Sequence, residues 1–235
     1  MTESVVAMAR ALLERERVDI TTRPGQVQST AVLHVHTEPA RRLVLGRRAE
    51  EGQPIVGLFL FAPRVKRIMA AARLGDVYAQ WYLIRIEQRL SEGQESLNTL
   101  QATVDAQVRQ RAGVAVTIQG SDNPLAVPLD FGNPYAYQGA DLIAAFDNIV
   151  QGIIVGQRMG RLPMTTMRQL LHEGGRAIRR IFQLAPEWKP LEAPVTREDV
   201  HHQTDIAKVA TEKMGEVPAD VVAGERKPEW VLIDE

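Results

Sequence analysis

The chain has 235 residues, of which 45% are hydrophobic, and it carries 28 basic and 29 acidic side chains. This length and composition allow one sizeable domain or two small ones around a buried core, and they exclude a disordered or fibrous protein. The absence of cysteine excludes disulfides, thiolate metal sites and thiol nucleophiles, and is typical of a reducing compartment. We therefore expect a cytoplasmic protein, and we find neither a signal peptide nor the apolar run of about 20 residues that would place it in a membrane.

Charge is distributed unevenly along the chain. Residues 38–73 hold 8 basic and 3 acidic side chains, a balance of +5, and residues 151–190 hold 7 and 2, also +5. Residues 74–150 hold 4 basic and 9 acidic side chains, a balance of −5. Residues 191–235 hold 5 basic and 11 acidic side chains, a balance of −6. Because local patches rather than totals govern binding to phosphates, the two basic blocks are compatible with a polyanionic partner.

In chain order, the pattern first predicts a short amphipathic helix over 1–17 and an alternating strand over 26–36. Thr37, followed by an acid and a proline, predicts the start of a helix that runs to about Arg48. We treat residues 26–48 as a candidate ribbon-helix element. The polar face of its strand, interrupted only by a valine, consists of Gln26, Gln28, Thr30, Val32, His34 and His36.

Helical spacing follows over 55–92, with a break near Leu74–Asp76, and over 93–112 as a long helix or a hairpin arm. Alternation returns over 114–118 and 125–131 with turn residues between them, so we expect a β-hairpin there.

Further on, the aromatic loop "GNPYAYQGAD" leads into a predicted helix from about Asp141 to Arg158, and Pro163 opens another that continues to about Gln183. Residues 1–190 thus predict a single α+β domain, mostly helical with a small antiparallel sheet. Residues 191–235 predict a peripheral helix and an acidic tail.

No motif supports catalysis. The chain has neither a Gly-rich phosphate loop ending in Lys-Ser/Thr nor a nucleophile elbow. His34 and His36 lie on one face of the strand, about 6–7 Å apart, as the first two ligands of a metal site do. No spacing in the sequence indicates a third metal ligand. Two other roles for these histidines therefore stay open: a contact with DNA, or no role beyond that of ordinary, half-exposed strand residues. We expect no enzyme, metal, cofactor or small-molecule substrate.

Four stretches resemble a protein family carried on integrating conjugative elements and related plasmids, which includes the AcaB-type transcriptional activators of conjugation. They are "GQVQSTAVLHVHTEPARRLVLGR", "DVYAQWYLIRIEQRL", "VPLDFGNPYAYQGADLIAAFD" and "LLHEGGRAIRRIFQL". The resemblance covers roughly residues 24–224, and "FGNPYAYQGA" at 131–140 is its most specific part. It implies a DNA-binding regulator with a ribbon-helix-helix element, in which strands from two subunits pair antiparallel and lie in the major groove.

Mapped onto this chain, the strand at 26–36 is the preferred ribbon, because hydrogen-bonding side chains alternate along it and arginines follow at once. The predicted base contacts are Gln28, Thr30, His34 and His36. The predicted phosphate contacts are Arg41, Arg42, Arg47 and Arg48. A second candidate strand, 125–131, also precedes two helices, but its Pro128 and Asp130 suit neither base reading nor phosphate.

The sequence therefore predicts a homodimeric regulator of double-stranded DNA. An alternative stays open, in which the protein is a non-enzymatic interaction or scaffolding component of the conjugative transfer or maintenance machinery. In that case the basic blocks face acidic surfaces of another protein.

Overall fold

The computed structural model describes residues 31–47, 54–109 and 116–232, so the helix predicted over 1–17 and the strand residues 26–30 lie outside the described residues. The predicted fold class, α+β with mostly helix and a small antiparallel sheet, is confirmed. The elements of the described part are β1 (Ala31–Val35), α1 (Glu38–Leu45), α2 (Leu58–Arg73), α3 (Val77–Arg109), β2 (Leu125–Leu129), α4 (Pro134–Arg158), α5 (Met164–Phe182), α6 (Leu184–Glu187), α7 (Arg197–His202), α8 (Asp205–Met214) and α9 (Ala219–Val222).

The helix α3 runs unbroken for 33 residues. Its stripe of Leu97, Leu100, Val104 and Val108, at three- and four-residue spacing, is buried against α4 and α5. The predicted break before α3 is present, and Gly75 supplies the left-handed backbone there with a φ of +85°. The segment that we predicted as a helix or a hairpin arm is the second half of α3.

The strands β1 and β2 form a two-stranded antiparallel sheet, in which Ala31 lies opposite Leu129 and Val35 opposite Leu125. The predicted hairpin is therefore wrong, because β2 pairs with β1 and residues 116–118 form no strand. Alternation located both strands. It could not identify their pairing, which depends on the helices that bring two distant segments together.

The order strand, helix, helix occurs twice, as β1–α1–α2 and as β2–α4–α5. The helix α4 begins at Pro134 rather than near Asp141, because Asn133 caps it and accepts from the Ala136 backbone N–H at 2.9 Å. An asparagine followed by a proline is the N-cap and N1 signal that the sequence interpretation overlooked. The Nδ2 of Asn133 also donates to the Ala62 carbonyl of α2 at 3.3 Å, which ties the two strand–helix–helix units together.

The helix α4 lies at the centre of the core and packs against α1, α2, α3 and α5. By length and composition it is the one helix in the described ranges that could cross a membrane. However, 61% of its most apolar window is buried inside the fold, as in the core helix of a globular domain.

Residues 191–232 add a further layer of short helices. A reciprocal capping box between Thr196 and Asp199 starts α7. The left-handed Gln203, with a φ of 51°, separates α7 from α8 where we predicted a single helix. The buried hydrophobic residues of this segment include Val195, Ala207, Ala210, Met214, Val221 and Val231.

Candidate nucleic-acid interface

The β1–β2 sheet has one buried and one exposed face. Leu33, Val35 and Val127 are buried in the core. The opposite face carries the exposed pairs Val32–Pro128 and His34–Ala126. His34 is thus the one hydrogen-bonding side chain on the described part of this face, and Gln28 and Thr30 lie outside the described residues.

His36 and Thr37 form the turn from β1 into α1, and Asp147 of α4 holds this turn. The Asp147 carboxylate, which is 1% exposed, accepts from the His36 backbone N–H at 2.8 Å and from the Thr37 hydroxyl at 2.6 Å. The His36 ring lies against Gly120, where an added Cβ would come within 2.5 Å of Nδ1. Among the described residues this buried Nδ1 has no hydrogen-bond partner. His36 is therefore packed, whereas His34 is open to solvent.

Three of the predicted phosphate-binding arginines are described, and two of them share one carboxylate. Glu38 pairs with Arg42 at 3.1 Å and with Arg41 at 3.2 Å, and all three side chains are exposed. The hydrogen bond from Arg42, together with the nearby charge of Arg41, lowers the pKa of Glu38. Such exposed ion pairs contribute at most about 1 kcal/mol to stability, so breaking them to bind another anion costs little. The backbone of Arg47 exchanges two hydrogen bonds of 2.9 Å with Ile55, and Arg48 lies outside the described residues.

A fourth arginine meets this cluster from a distant part of the chain. Arg179, in the last turn of α5, lines the same cavity as Arg41, Arg42 and Arg47. Sequence reasoning identified the second basic block but could not show which of its arginines reaches the first. The rotation of α5 relative to α1 decides this, and it is a property of the packed fold.

The helix α2 adds cations to which sequence reasoning assigned no role. Arg64, Lys66, Arg67 and Arg73 are all exposed on it, and α2 contains no acidic residue. The Lys66 ammonium lies beside Gly132, in the turn that follows β2. Positive charge therefore borders the end of the sheet where Leu129 pairs with the start of β1.

The sheet exposes one face to solvent, and positive charge lies on the helix that follows β1, at Arg41 and Arg42. A family model described as the transcriptional regulator AcaB matches residues 23–232, and the chain belongs to this family. The role that this description gives the family is regulation of transcription.

Among solved structures, the chain is similar to the crystal structure of selenomethionine-containing AcaB from uropathogenic E. coli. The TM-score is 0.52 at 17% sequence identity, over 86% of this chain and 97% of that one. At this identity the likeness shows the fold. No curated protein matches the chain at a significant level.

Proposed function

We propose that the protein regulates transcription by binding double-stranded DNA through the β1–β2 ribbon, in the manner of a ribbon-helix-helix protein. The observation that carries this proposal is the repeated strand–helix–helix unit whose two strands pair antiparallel. A two-stranded antiparallel ribbon fits the major groove of B-DNA. In the arrangement implied by the family resemblance, each of two subunits supplies one strand. Here one chain supplies both.

The proposed base contacts are Gln28, Thr30, His34 and His36, of which His34 is the exposed member in the described part. The neighbouring Val32 and Ala126 suit apolar contact with thymine methyl groups. The His36 ring packs against Gly120. We therefore expect His36 to contact bases less than the other three residues do, and mainly to position the ribbon.

The proposed phosphate contacts are Arg41, Arg42, Arg47 and Arg48, with Lys66 at the far end of the sheet. Such contacts fix the position of the protein on the duplex without reading its sequence.

We further propose that the protein acts as a homodimer in the cytoplasm, on promoters of an integrating conjugative element or conjugative plasmid. Since one chain holds both strands of the described ribbon, dimerisation would bring two ribbons to half-sites about one helical turn, roughly 34–36 Å, apart. The proposal assigns no cofactor and no catalytic residue.

The decisive experiment measures affinity for promoter DNA of the protein's own element and for scrambled DNA, by fluorescence anisotropy at two salt concentrations. The test variant changes Gln28, Thr30 and His34 to alanine and leaves the packed His36 in place. The matched control changes three exposed polar residues of α3, Gln94, Asn98 and Thr99, to alanine. The expected result is loss of sequence preference in the test variant only, while weak, salt-sensitive binding remains.

Preference that survives in the test variant would move base reading away from this ribbon. If the wild-type protein binds neither DNA at moderate salt, the regulator mechanism proposed here fails. The scaffolding alternative then predicts a stable complex with another protein of the same element.

A further inference from the structure

A cavity of about 850 Å³ lies between α1, the residues after it, the start of α2 and the end of α5. Among the described residues, its charged lining consists of four arginines, Arg41, Arg42, Arg47 and Arg179, and the carboxylate of Glu38. Volumes of this order hold small organic ligands. The excess of guanidinium groups over carboxylates in this described lining favours an anionic ligand.

Arg179 differs from the paired Arg41 and Arg42 in having no partner among the residues that the structure describes. Its side chain is only partly exposed, and it makes no hydrogen bond or ion pair with any residue in the described ranges. Burial, with a contribution from the neighbouring charge of Arg176, lowers the pKa of Arg179. A partly desolvated cation without a counterion is unfavourable, and an anion in the cavity would offset that cost.

The rest of the lining is apolar. Leu45, Phe59 and Leu60 line the cavity with side chains that are 43%, 46% and 47% exposed. Large apolar side chains left this open beside arginines suit a ligand that joins an anionic group to an organic moiety. Guanidinium groups bind phosphate in a bidentate fork, and an exposed aromatic ring can stack on a base.

We propose that this cavity binds a phosphate ester, held by Arg179 together with Arg41 and Arg42, with Phe59 and Leu60 against the organic part. The ester has two sources with the same chemistry. One is a phosphodiester of bound DNA, which rests on the function proposed above, and the other is a free nucleotide, which does not.

The first arm of the test uses DNA and compares Arg179→Ala with Arg180→Ala. Arg180 is exposed one residue further along α5, and it lines a separate groove toward α3, so each variant removes one positive charge from the same helix turn. For a DNA phosphate, Arg179→Ala lowers affinity about tenfold for all sequences and reduces the salt slope by about one. Arg180→Ala changes both much less.

The second arm omits DNA and titrates the protein with a fluorescently labelled adenosine monophosphate, with inorganic phosphate as competitor. For a free nucleotide, binding is saturable and weakens about tenfold in Arg179→Ala but not in Arg180→Ala. Arg179→Lys keeps the positive charge but lacks the bidentate geometry of a guanidinium, so its nucleotide affinity is expected to lie between those of the wild type and Arg179→Ala. This variant provides a second test if Arg179→Ala folds poorly.

The cavity proposal is overturned if Arg179→Ala and Arg180→Ala behave alike in both arms. If the two variants behave alike and the wild-type protein still binds DNA, the cavity proposal fails and the proposed function remains. Conversely, Arg179-dependent nucleotide binding by a protein that does not bind DNA supports the cavity and removes the proposed function.

Discussion

The turn between β1 and α1 is positioned by one buried carboxylate. Asp147 accepts from the backbone of His36, from the hydroxyl of Thr37 and, at 3.3 Å, from the amide of Gln151. Thr37 occupies the N-cap position of α1, but its hydroxyl donates to Asp147 rather than capping the first turn. The direction in which α1 leaves the ribbon is therefore set by α4.

Replacing Asp147 by alanine would leave these donors unpaired inside the protein. We expect Asp147→Ala to lower the free energy of unfolding by about 2–3 kcal/mol, because buried hydrogen bonds to a charged group are lost. Thr37→Val removes only the hydroxyl, keeps the shape, and is expected to cost about 1 kcal/mol. Urea unfolding of both variants measures the difference. Equal losses would show that Asp147 contributes nothing beyond its bond to Thr37.

A second carboxylate, Glu87 of α3, fastens the C-terminal segment. Its Oε1 accepts from the Tyr135 hydroxyl at 2.7 Å and from the Glu229 backbone N–H at 2.8 Å. Burial raises the pKa of Glu87 despite these bonds, and burial with the neighbouring Glu87 raises the pKa of Tyr135. Both bonds end on one oxygen, so the carbonyl of a glutamine can accept them as well.

We therefore expect Glu87→Gln to change how stability depends on pH more than it changes the structure. A carboxyl whose pKa is raised on folding binds its proton more tightly when folded, so the wild type loses stability as pH rises from the unfolded pKa through the folded one. The glutamine variant lacks this loss. Its stability relative to wild type, measured by urea unfolding, should rise as the pH rises above about 4.3, the ordinary glutamate pKa. A constant or falling difference would contradict the raised pKa of Glu87.

The helix α5 contains two adjacent buried glycines with different neighbours. A Cβ on Gly174 would lie 2.5 Å from Cε2 of Phe146 and 2.9 Å from Cδ2 of Leu100, both in the buried core. A Cβ on Gly175 would meet the guanidinium of Arg179, the mobile end of a long side chain. The first glycine permits close helix packing, whereas the second serves no contact that alanine would break.

The two alanine variants should therefore change the free energy of unfolding in opposite directions. Gly174→Ala gains helix propensity but overpacks the core, for a net loss of about 1–2 kcal/mol. Gly175→Ala gains about 0.5–1 kcal/mol from propensity alone. Thermal unfolding of each variant beside wild type measures both changes. If Gly174→Ala also stabilises, the interface between α5 and its neighbours is looser than described.

The elements that could be predicted from sequence are those determined by residues close to them along the chain. The stripe of α3, the break at Gly75 and the alternation of β1 depend on neighbours in sequence, and all three were predicted correctly. The start of α4 was also local, but the Asn133–Pro134 signal was overlooked in favour of the aromatic loop pattern. The pairing of β2 with β1 is not local, because it is fixed by helices that separate the strands along the chain.

The candidate site divides in the same way. The exposure of His34 and the arginines after β1 could be predicted from period and order. The packing of His36 could not, because it depends on Gly120 in a segment with no regular structure. Nor could the approach of Arg179 to the first basic block be predicted, because it requires the relative rotation of two helices.

The two strands of the ribbon belong to one chain. Each strand precedes two helices, and the two units share the helical core around α4. A ribbon made from two strands of one chain does not depend on protein concentration, unlike one shared between subunits. The two strands also differ in sequence, so the outer face has no internal two-fold repeat, with His34 on one strand opposite Ala126 on the other.

This arrangement can be tested covalently, because the chain contains no cysteine. Val32 lies opposite Pro128, which has no backbone N–H, so these two residues form a non-hydrogen-bonded pair. The His34–Ala126 pair is two residues further along the strands and is therefore of the same kind, in which the Cα atoms lie closer together. We expect His34→Cys with Ala126→Cys to oxidise to a disulfide within one chain, seen as a monomer with two fewer hydrogens by intact mass. The control, Val32→Cys with Ala126→Cys, places the thiols diagonally and should oxidise far more slowly. Disulfide-linked dimers from the first pair would instead mean that β1 and β2 pair between chains.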